Sequence, residues 1–287
     1  MIVGSEIDIR SMRRDELDVV LDWAAAEGWN PGLFDAEAFF DADPNGFFVA
    51  ECDVGPVGAF SAVAYDELFG FAGLFIVLPE YRGGRCGVEL GRRGMAYLGS
   101  RTVGLDGVRA KHENYRRLGF AHAYWTSRYR GMAPGDPHSS AGCVAEIENL
   151  RDLPIEMISR YDASLFPAPR ERFLQTWIGL PCHTALGVIQ QDRLVGYGVV
   201  RPCRVGFRIG PLMAEESCIA EALLDALLAT IPASEFCIDV PEPNESARKM
   251  VGRRSMSPIL ETARMYKGPM PQIELSKVFG VTTLELG

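Results

Sequence analysis

The sequence predicts a mixed α/β fold built twice in tandem, and three observations carry that expectation. An apolar, β-prone run from Leu74 to Leu78 ends in a basic, glycine-rich turn, and a segment able to form a helix follows. A stretch concentrated in Gly, Pro and Ser, residues 131–142, divides the 287 residues into halves of similar length. Landmarks of the first half recur in the second at near-constant offsets. Gly58 corresponds to Gly196 (138 apart), Tyr129-Arg-Gly131 to Tyr266-Lys-Gly268 (137) and Asp106 to Asp239 (133). Repetition with matching strand character is the signature of a duplicated fold.

Each copy reads as helices, a β-meander, strand–helix–strand–helix, and closing strands. In the first, Asp15 to Glu27 places Leu17, Val20, Leu21 and Ala24 on one helical face. Gly46 to Glu51 and Pro56 to Tyr65 form a hairpin turned at Asp53-Val-Gly55, and Thr102 to Val108 is a further strand. In the second, Thr184 to Gln190 and Leu194 to Val200 pair around Gln191-Asp-Arg193, and Gly206 to Gly210 is a strand. A helix from about Glu216 to Ala229 carries the stripe Ile219, Ala220, Leu223, Leu224, Leu227 and Leu228, a core face that Pro232 terminates. The expected division is a first domain over 1–133, a linker over 134–142 and a second domain over 143–287.

The turn after Leu78 has the chemistry of an anion site. A strand, a glycine-rich turn and a helix start aim several backbone N–H groups and a helix dipole at one spot. Gly83, Gly84 and Gly87 let the backbone approach a phosphate with no Cβ in the way. Arg82 and Arg85 add permanent charge and fork-shaped donors, and the turn reads as a pyrophosphate cradle. The second copy has Pro211-Leu-Met-Ala-Glu-Glu-Ser217 at the same point, with no glycine cluster. Glu215 and Glu216 there favour a helix start and repel a phosphate.

Val77-Leu-Pro-Glu-Tyr-Arg-Gly83 and the loop Arg82 to Gly87 resemble the acetyl-CoA signature of the GNAT superfamily of N-acetyltransferases, with Arg85 where the family has glycine. Tyr115-Arg-Arg-Leu-Gly-Phe120 resembles that family's Tyr-x-Lys-Leu-Gly-Phe element. Six further segments, among them Glu27-Gly-Trp-Asn-Pro-Gly32, Phe166-Pro-Ala-Pro-Arg170 and Leu284-Glu-Leu-Gly287, extend the likeness over nearly the whole chain. They are similar to a bacterial branch in which an acetyltransferase domain precedes a divergent GNAT-like domain. The resemblance implies two tandem GNAT-like domains, each a mostly antiparallel central sheet flanked by helices, and acetyl-CoA as co-substrate. It assigns CoA contacts to Phe75, Val77, Arg82, Gly83, Gly84, Arg85, Cys86, Gly87 and Val88, and thiolate protonation to Tyr115. It places the acceptor pocket at Trp29, Asn30 and Phe34. The acceptor amine must lose a proton before it attacks, since a pKa near 10.4 leaves it almost wholly protonated at pH 7. Glu80, with Asp66 and Glu67 behind it, is the candidate base by position. The expected activity is direct acetyl transfer to a primary amine of a small molecule or peptide, and the alternative is a non-catalytic, CoA-responsive regulatory protein.

Composition narrows the partners. The net charge of −9 is spread evenly: residues 1–133 hold 14 basic and 19 acidic side chains, the remainder 15 and 19. An evenly acidic chain is poorly suited to nucleic acid or an anionic membrane. The seven cysteines are scattered without a CxxC unit, so neither a disulfide framework nor a metal site is expected. The N-terminus lacks a signal peptide and no run approaches a membrane span, so a soluble cytoplasmic protein, monomer or homodimer, is the expectation.

Overall fold

The computed structural model describes residues 7–135 and 146–287. Residues 136–142 of the Gly/Pro/Ser stretch lie outside them. Strand β1 (Asp8–Ser11) leads into helix α1 (Arg14–Ala26), which buries Leu17, Val20, Leu21 and Ala24, the face its periodicity predicts. Helix α2 (Asp35–Ala42) follows the loop carrying Trp29 and Asn30. Strands β2 (Phe47–Cys52), β3 (Gly55–Ala64) and β4 (Phe69–Val77) form the antiparallel meander. β4 begins at Phe69 rather than Leu74, because Phe69, Phe71 and Ala72 also have buried faces to fill. Helix α3 (Arg85–Leu98), β5 (Thr102–Val108), α4 (His112–Arg117) and β6 (Ala121–Met132) complete the first half.

The second half repeats this order. It holds β7 (Ile147–Asn149), α5 (Ile155–Asp162), α6 (Glu171–Gly179), β8 (Thr184–Gln190), β9 (Arg193–Pro202) and β10 (Phe207–Ala214). Helix α7 (Ser217–Ala229), β11 (Glu235–Pro241), α8 (Glu245–Arg253), β12 (Ser257–Lys267) and β13 (Val278–Gly280) follow. The paired landmarks fall on matching elements. Gly58 lies on β3 under α3, where an added Cβ would press on Leu90 and Cys86; Gly196 lies on β9 under α7, where it would press on Ile219.

All of these strands join one sheet, in the order β1-β2-β3-β4-β5-β12-β6-β11-β10-β9-β8-β7, with β13 paired to β10. The order reveals an exchange. β5 pairs with β12 from the second half, and β11 pairs with β6 from the first. Each half is therefore completed by a strand of the other, and β6 and β12 run antiparallel at the centre, with Thr126 opposite Thr262. The landmark aspartates lie on either side of this crossing. Asp106 on β5 takes both nitrogens of a fork from Arg264 on β12, at 2.9 and 2.7 Å. Asp239 on β11 does the same with Arg128 on β6, at 2.7 and 3.0 Å. Both pairs are buried, and both cross between halves.

On one face of the sheet α1, α2, α5 and α6 share a single core with the strands of both halves. Phe39 of α2 stacks on Trp177 of α6 at 6.3 Å, and each such side chain contributes about 1.5–3 kcal/mol by leaving water. On the other face α3 covers the first half and α7 with α8 the second. No helix among the described residues is long and apolar enough to cross a membrane.

Candidate functional site

The site is built where β4 parts from β5. Parallel pairing between them ends at Ala72 opposite Leu105. The β3–β4 register shifts between Ala59 and Ser61, and Leu74 adopts φ +44, a left-handed conformation that marks a bulge. Beyond it no strand of the described chain pairs with the β5-facing edge of β4. Phe75 and Val77, the two predicted strand contacts, lie on this segment, and Phe75 is partly exposed with its ring edge-on to Phe60 at 5.2 Å.

The predicted cradle follows directly. Pro79–Tyr81 form a 3₁₀ turn. Arg82 then folds back, donating from Nε to the Val77 carbonyl at 2.7 Å and pairing with Glu27. Gly83 has φ +78, which favours glycine there. Gly84 precedes α3 without contributing a side-chain cap, and no acidic residue occupies the first turn. The amides of Arg85 to Val88 are therefore open to an anion, with neither a capping side chain nor a first-turn carboxylate in competition. Arg85 and Val88 point to solvent, whereas Cys86 is buried and Gly87 packs toward Phe75 and Val77. This residue set suits a pyrophosphate and an extended thioester arm.

Tyr115 sits in α4 with its ring against β5, where a Cβ added at Gly107 would overlap it. Burial pushes its phenol above the ordinary value. Gly119, at φ +90, ends that helix, and the Phe120 amide closes on the Tyr115 carbonyl at 3.1 Å. Glu80 is exposed on the 3₁₀ turn. Asp66 accepts the amides of Leu68 and Phe69 and so caps the β3–β4 turn, while Glu67 is almost fully exposed.

The loop holding Trp29, Asn30 and Phe34 is fastened to the second half. Asn30 spends its amide on the Val205 backbone, donating to its carbonyl and accepting from its N–H, each at 2.9 Å. The Trp29 carbonyl accepts from Arg128 at 2.8 Å and Arg208 at 2.9 Å, and the Asn30 carbonyl from Arg208 at 2.7 Å. Phe34 is half exposed. Sequence reasoning missed these arginines. For Arg208 the signal was its place inside the otherwise apolar strand run Phe207 to Leu212, where an arginine is costly unless paired.

The equivalent place in the second half is filled. β10 pairs with β11 only through Ile209, and its register with β9 shifts between Ile209 and Leu212. Past that bulge β13 lies along β10, with Leu212 opposite Gly280 and Met213 opposite Val278. Lys277 then bridges Glu215 at 2.8 Å and Glu274 at 2.9 Å. Among the described residues no cluster of three or more His, Cys, Asp or Glu could hold a metal ion.

Relatives agree with this architecture. A family model for an acetyltransferase (GNAT) domain matches residues 158–280. A holothin acyltransferase of Pseudoalteromonas sp. (strain SANK 73390) is 30% identical over 274 residues, 95% of this chain and 92% of that one. A protein of Pyrococcus horikoshii provisionally described as an acetyltransferase superposes with a TM-score of 0.80 at 22% identity, over 100% of this chain and 98% of the other. A tandem GNAT protein from the clavulanic acid biosynthesis pathway does so with 0.65 at 14% identity, over 92% and 100%. With two bulged strands, each leading into a helix, and one sheet joining both halves, the chain belongs to the GNAT superfamily of acetyltransferases in its tandem form.

Proposed function

We propose that the protein is an acetyl-CoA-dependent N-acetyltransferase whose first half transfers acetyl directly to a primary amine of a small molecule or peptide within a ternary complex. The observation that carries this reading is the asymmetry between the two bulged strands. β4 has an unpaired edge and an uncapped helix start behind it, whereas β10 is paired with β13 and followed by Glu215 and Glu216. The name of the relative, a holothin acyltransferase, supports acyl transfer as the chemistry.

In this reading the amides of Gly83 to Val88, with Arg82 and Arg85, hold the pyrophosphate, and the backbone of Phe75 and Val77 holds the extended arm. Bound there, acetyl-CoA supplies an activated thioester. Trp29, Asn30 and Phe34 border the acceptor. Tyr115 donates its proton to the departing thiolate, a transfer that needs a short approach because the phenol is the weaker acid. Glu80 stands at the rim as a carboxylate for an incoming cation.

Calorimetric titration with acetyl-CoA, followed by free-thiol release over a panel of primary amines, tests the proposal. One acetyl-CoA per chain and thiol release with at least one amine are expected. Two sites per chain would remove the asymmetry argument. Binding with no thiol release on any amine would favour a CoA-responsive regulatory protein.

A further inference from the structure

Six buried charges meet beneath the Trp29–Phe34 loop: Asp35, Asp239 and Glu285 with Arg128, Arg201 and Arg208. Two of the carboxylates are fully employed. Asp35 holds Arg201 at 2.9 Å and the Gly32 amide at 2.8 Å. Asp239 holds Arg128, and although burial alone would raise it, Arg128 and Arg208 bring it below the usual carboxylate range. Glu285 differs. It is 4% exposed, yet its Oε2 has no hydrogen-bond partner among the described residues. A buried polar atom left so costs about 1–3 kcal/mol, and Arg201 Nη1 and Arg208 Nε and Nη1 of the same cluster are left likewise among the described residues.

The chain's last residues run past the bulge of β4, with the Glu285 carboxyl turned toward the arginines beneath the loop. The Val281 amide donates to the Asp239 carbonyl at 2.9 Å, and the Tyr65 hydroxyl donates to the Leu286 carbonyl at 2.8 Å. Between them the Glu285 backbone lies against Gly73, the residue before left-handed Leu74, so closely that a Cβ at Gly73 would collide with the Glu285 carbonyl. Arg208 and Arg128, which hold the loop carbonyls above, also face Glu285, as do Asp35 and Arg201. Cys203 faces the same Arg208.

We propose that Glu285, delivered by the second half, is the group that takes the proton from the acceptor's ammonium at the first half's bulged strand. The proposal rests on the amine-acceptor reading above. An N–H bond of the ammonium breaks and an O–H bond forms at Oε2. The electron pair left on nitrogen is then free to attack the acyl carbon, and solvent later recovers the proton. Burial pushes the Glu285 carboxyl above the ordinary glutamate range, against the pull of Arg208 and Arg128. That makes its carboxylate a stronger base than an exposed one.

The test compares ethylamine, protonated at pH 7, with trifluoroethylamine, largely neutral there. Glu285→Gln should lower kcat/KM for ethylamine by about 10²–10⁴-fold. It should lower that for trifluoroethylamine by less than about threefold, with acetyl-CoA affinity unchanged. Equal losses with both amines, no loss with either, or this contrast in Glu80→Gln instead would overturn the assignment. If the parent acetylates neither amine, the failure belongs to the amine reading, and infrared titration still decides on Glu285. Its carboxyl band, identified by its shift in Glu285→Asp, should titrate above about 4.3. Titration at or below that value would overturn the proposal whatever the acceptor.

Discussion

Strands β4 and β10 are the same device put to two uses. Each pairs in parallel with its neighbour for a few residues, bulges, parts from that neighbour and runs into a helix start. At β4 the exposed edge leaves backbone donors and acceptors for an extended ligand, the way a sheet edge takes up a peptide. At β10 the chain supplies that ligand itself in β13, and carboxylates stand before α7. On the function proposed above, a three-residue strand and two glutamates, and not the fold, separate the half that holds the cofactor from the half that does not. The second half keeps its architecture because it has other work. It lends β12 to the first half's sheet, anchors the Trp29–Asn30 loop and carries Glu285.

The largest effect should come from separating the halves. Segments 7–135 and 146–287, produced apart, each lack the strand that the other supplies, so neither should give a cooperative unfolding transition. Produced together they should pair and recover one. A folded, CoA-binding first segment on its own would show that β12 is dispensable. Next in size is Tyr115→Phe, which keeps the ring on Gly107 and removes only the hydroxyl. The corresponding patch of the second half, Val251-Gly-Arg-Arg-Ser-Met256, has no tyrosine to substitute. Turnover on an accepted amine should fall by about 10²–10⁴-fold with acetyl-CoA affinity near normal. Turnover equal to the parent would make the hydroxyl structural.

Local structure was legible because it follows from local pattern. Helix α1, both hairpins, β5 and α7 are read from apolar period and turn residues, and β5 coincides with its predicted span. The turn proposed as a cradle could be singled out for the same reason, since its glycines and arginines are contiguous. The strand exchange was not. Whether β5 meets β6 or β12 depends on pairings between strands far apart in sequence, and the two strands have similar patterns. Glu285 was equally hidden: Leu284-Glu-Leu-Gly287 carried only a resemblance, and its backbone contact with Gly73 joins residues far apart in sequence. The repeat did hold a clue in Asp106 and Asp239, whose arginine partners could not be named without the exchange.

Those aspartates set the next prediction. Arg264→Met leaves Asp106 buried beside no cation, which should cost about 3–5 kcal/mol, and Arg128→Met should cost less, because Arg208 still faces Asp239. Urea midpoints check both, and adding Asp106→Leu to Arg264→Met should restore most of the loss. If only one of the two arginines matters, the exchange is not energetically reciprocal. Smaller still is Arg82→Ala. It removes the fork held between Val77 and Glu27 and should raise the acetyl-CoA dissociation constant about tenfold, or 1.4 kcal/mol. Unchanged affinity would leave the cradle to the amides alone.

The smallest effect bears most directly on the comparison. Lys277 holds Glu215 and Glu274 at the end of β13, and its hydrogen bonds to them raise its ammonium above the ordinary lysine value. A raised lysine contributes stability that is fully present below the unfolded pKa, about 10.4, and lost as pH rises through the folded value. At pH 7 Lys277→Ala should therefore cost something, but the partners are partly exposed and solvent screens them. The expected loss is about 0.2–1 kcal/mol, shrinking as salt is added. β13 should stay in place, because Val278 is buried in the core shared by both halves and Phe279 in the core under α7 and α8. Acetyl-CoA stoichiometry should then remain one per chain. A second bound acetyl-CoA in Lys277→Ala would show that this ion pair, and not the strand beside β10, is what keeps the second half from holding the cofactor.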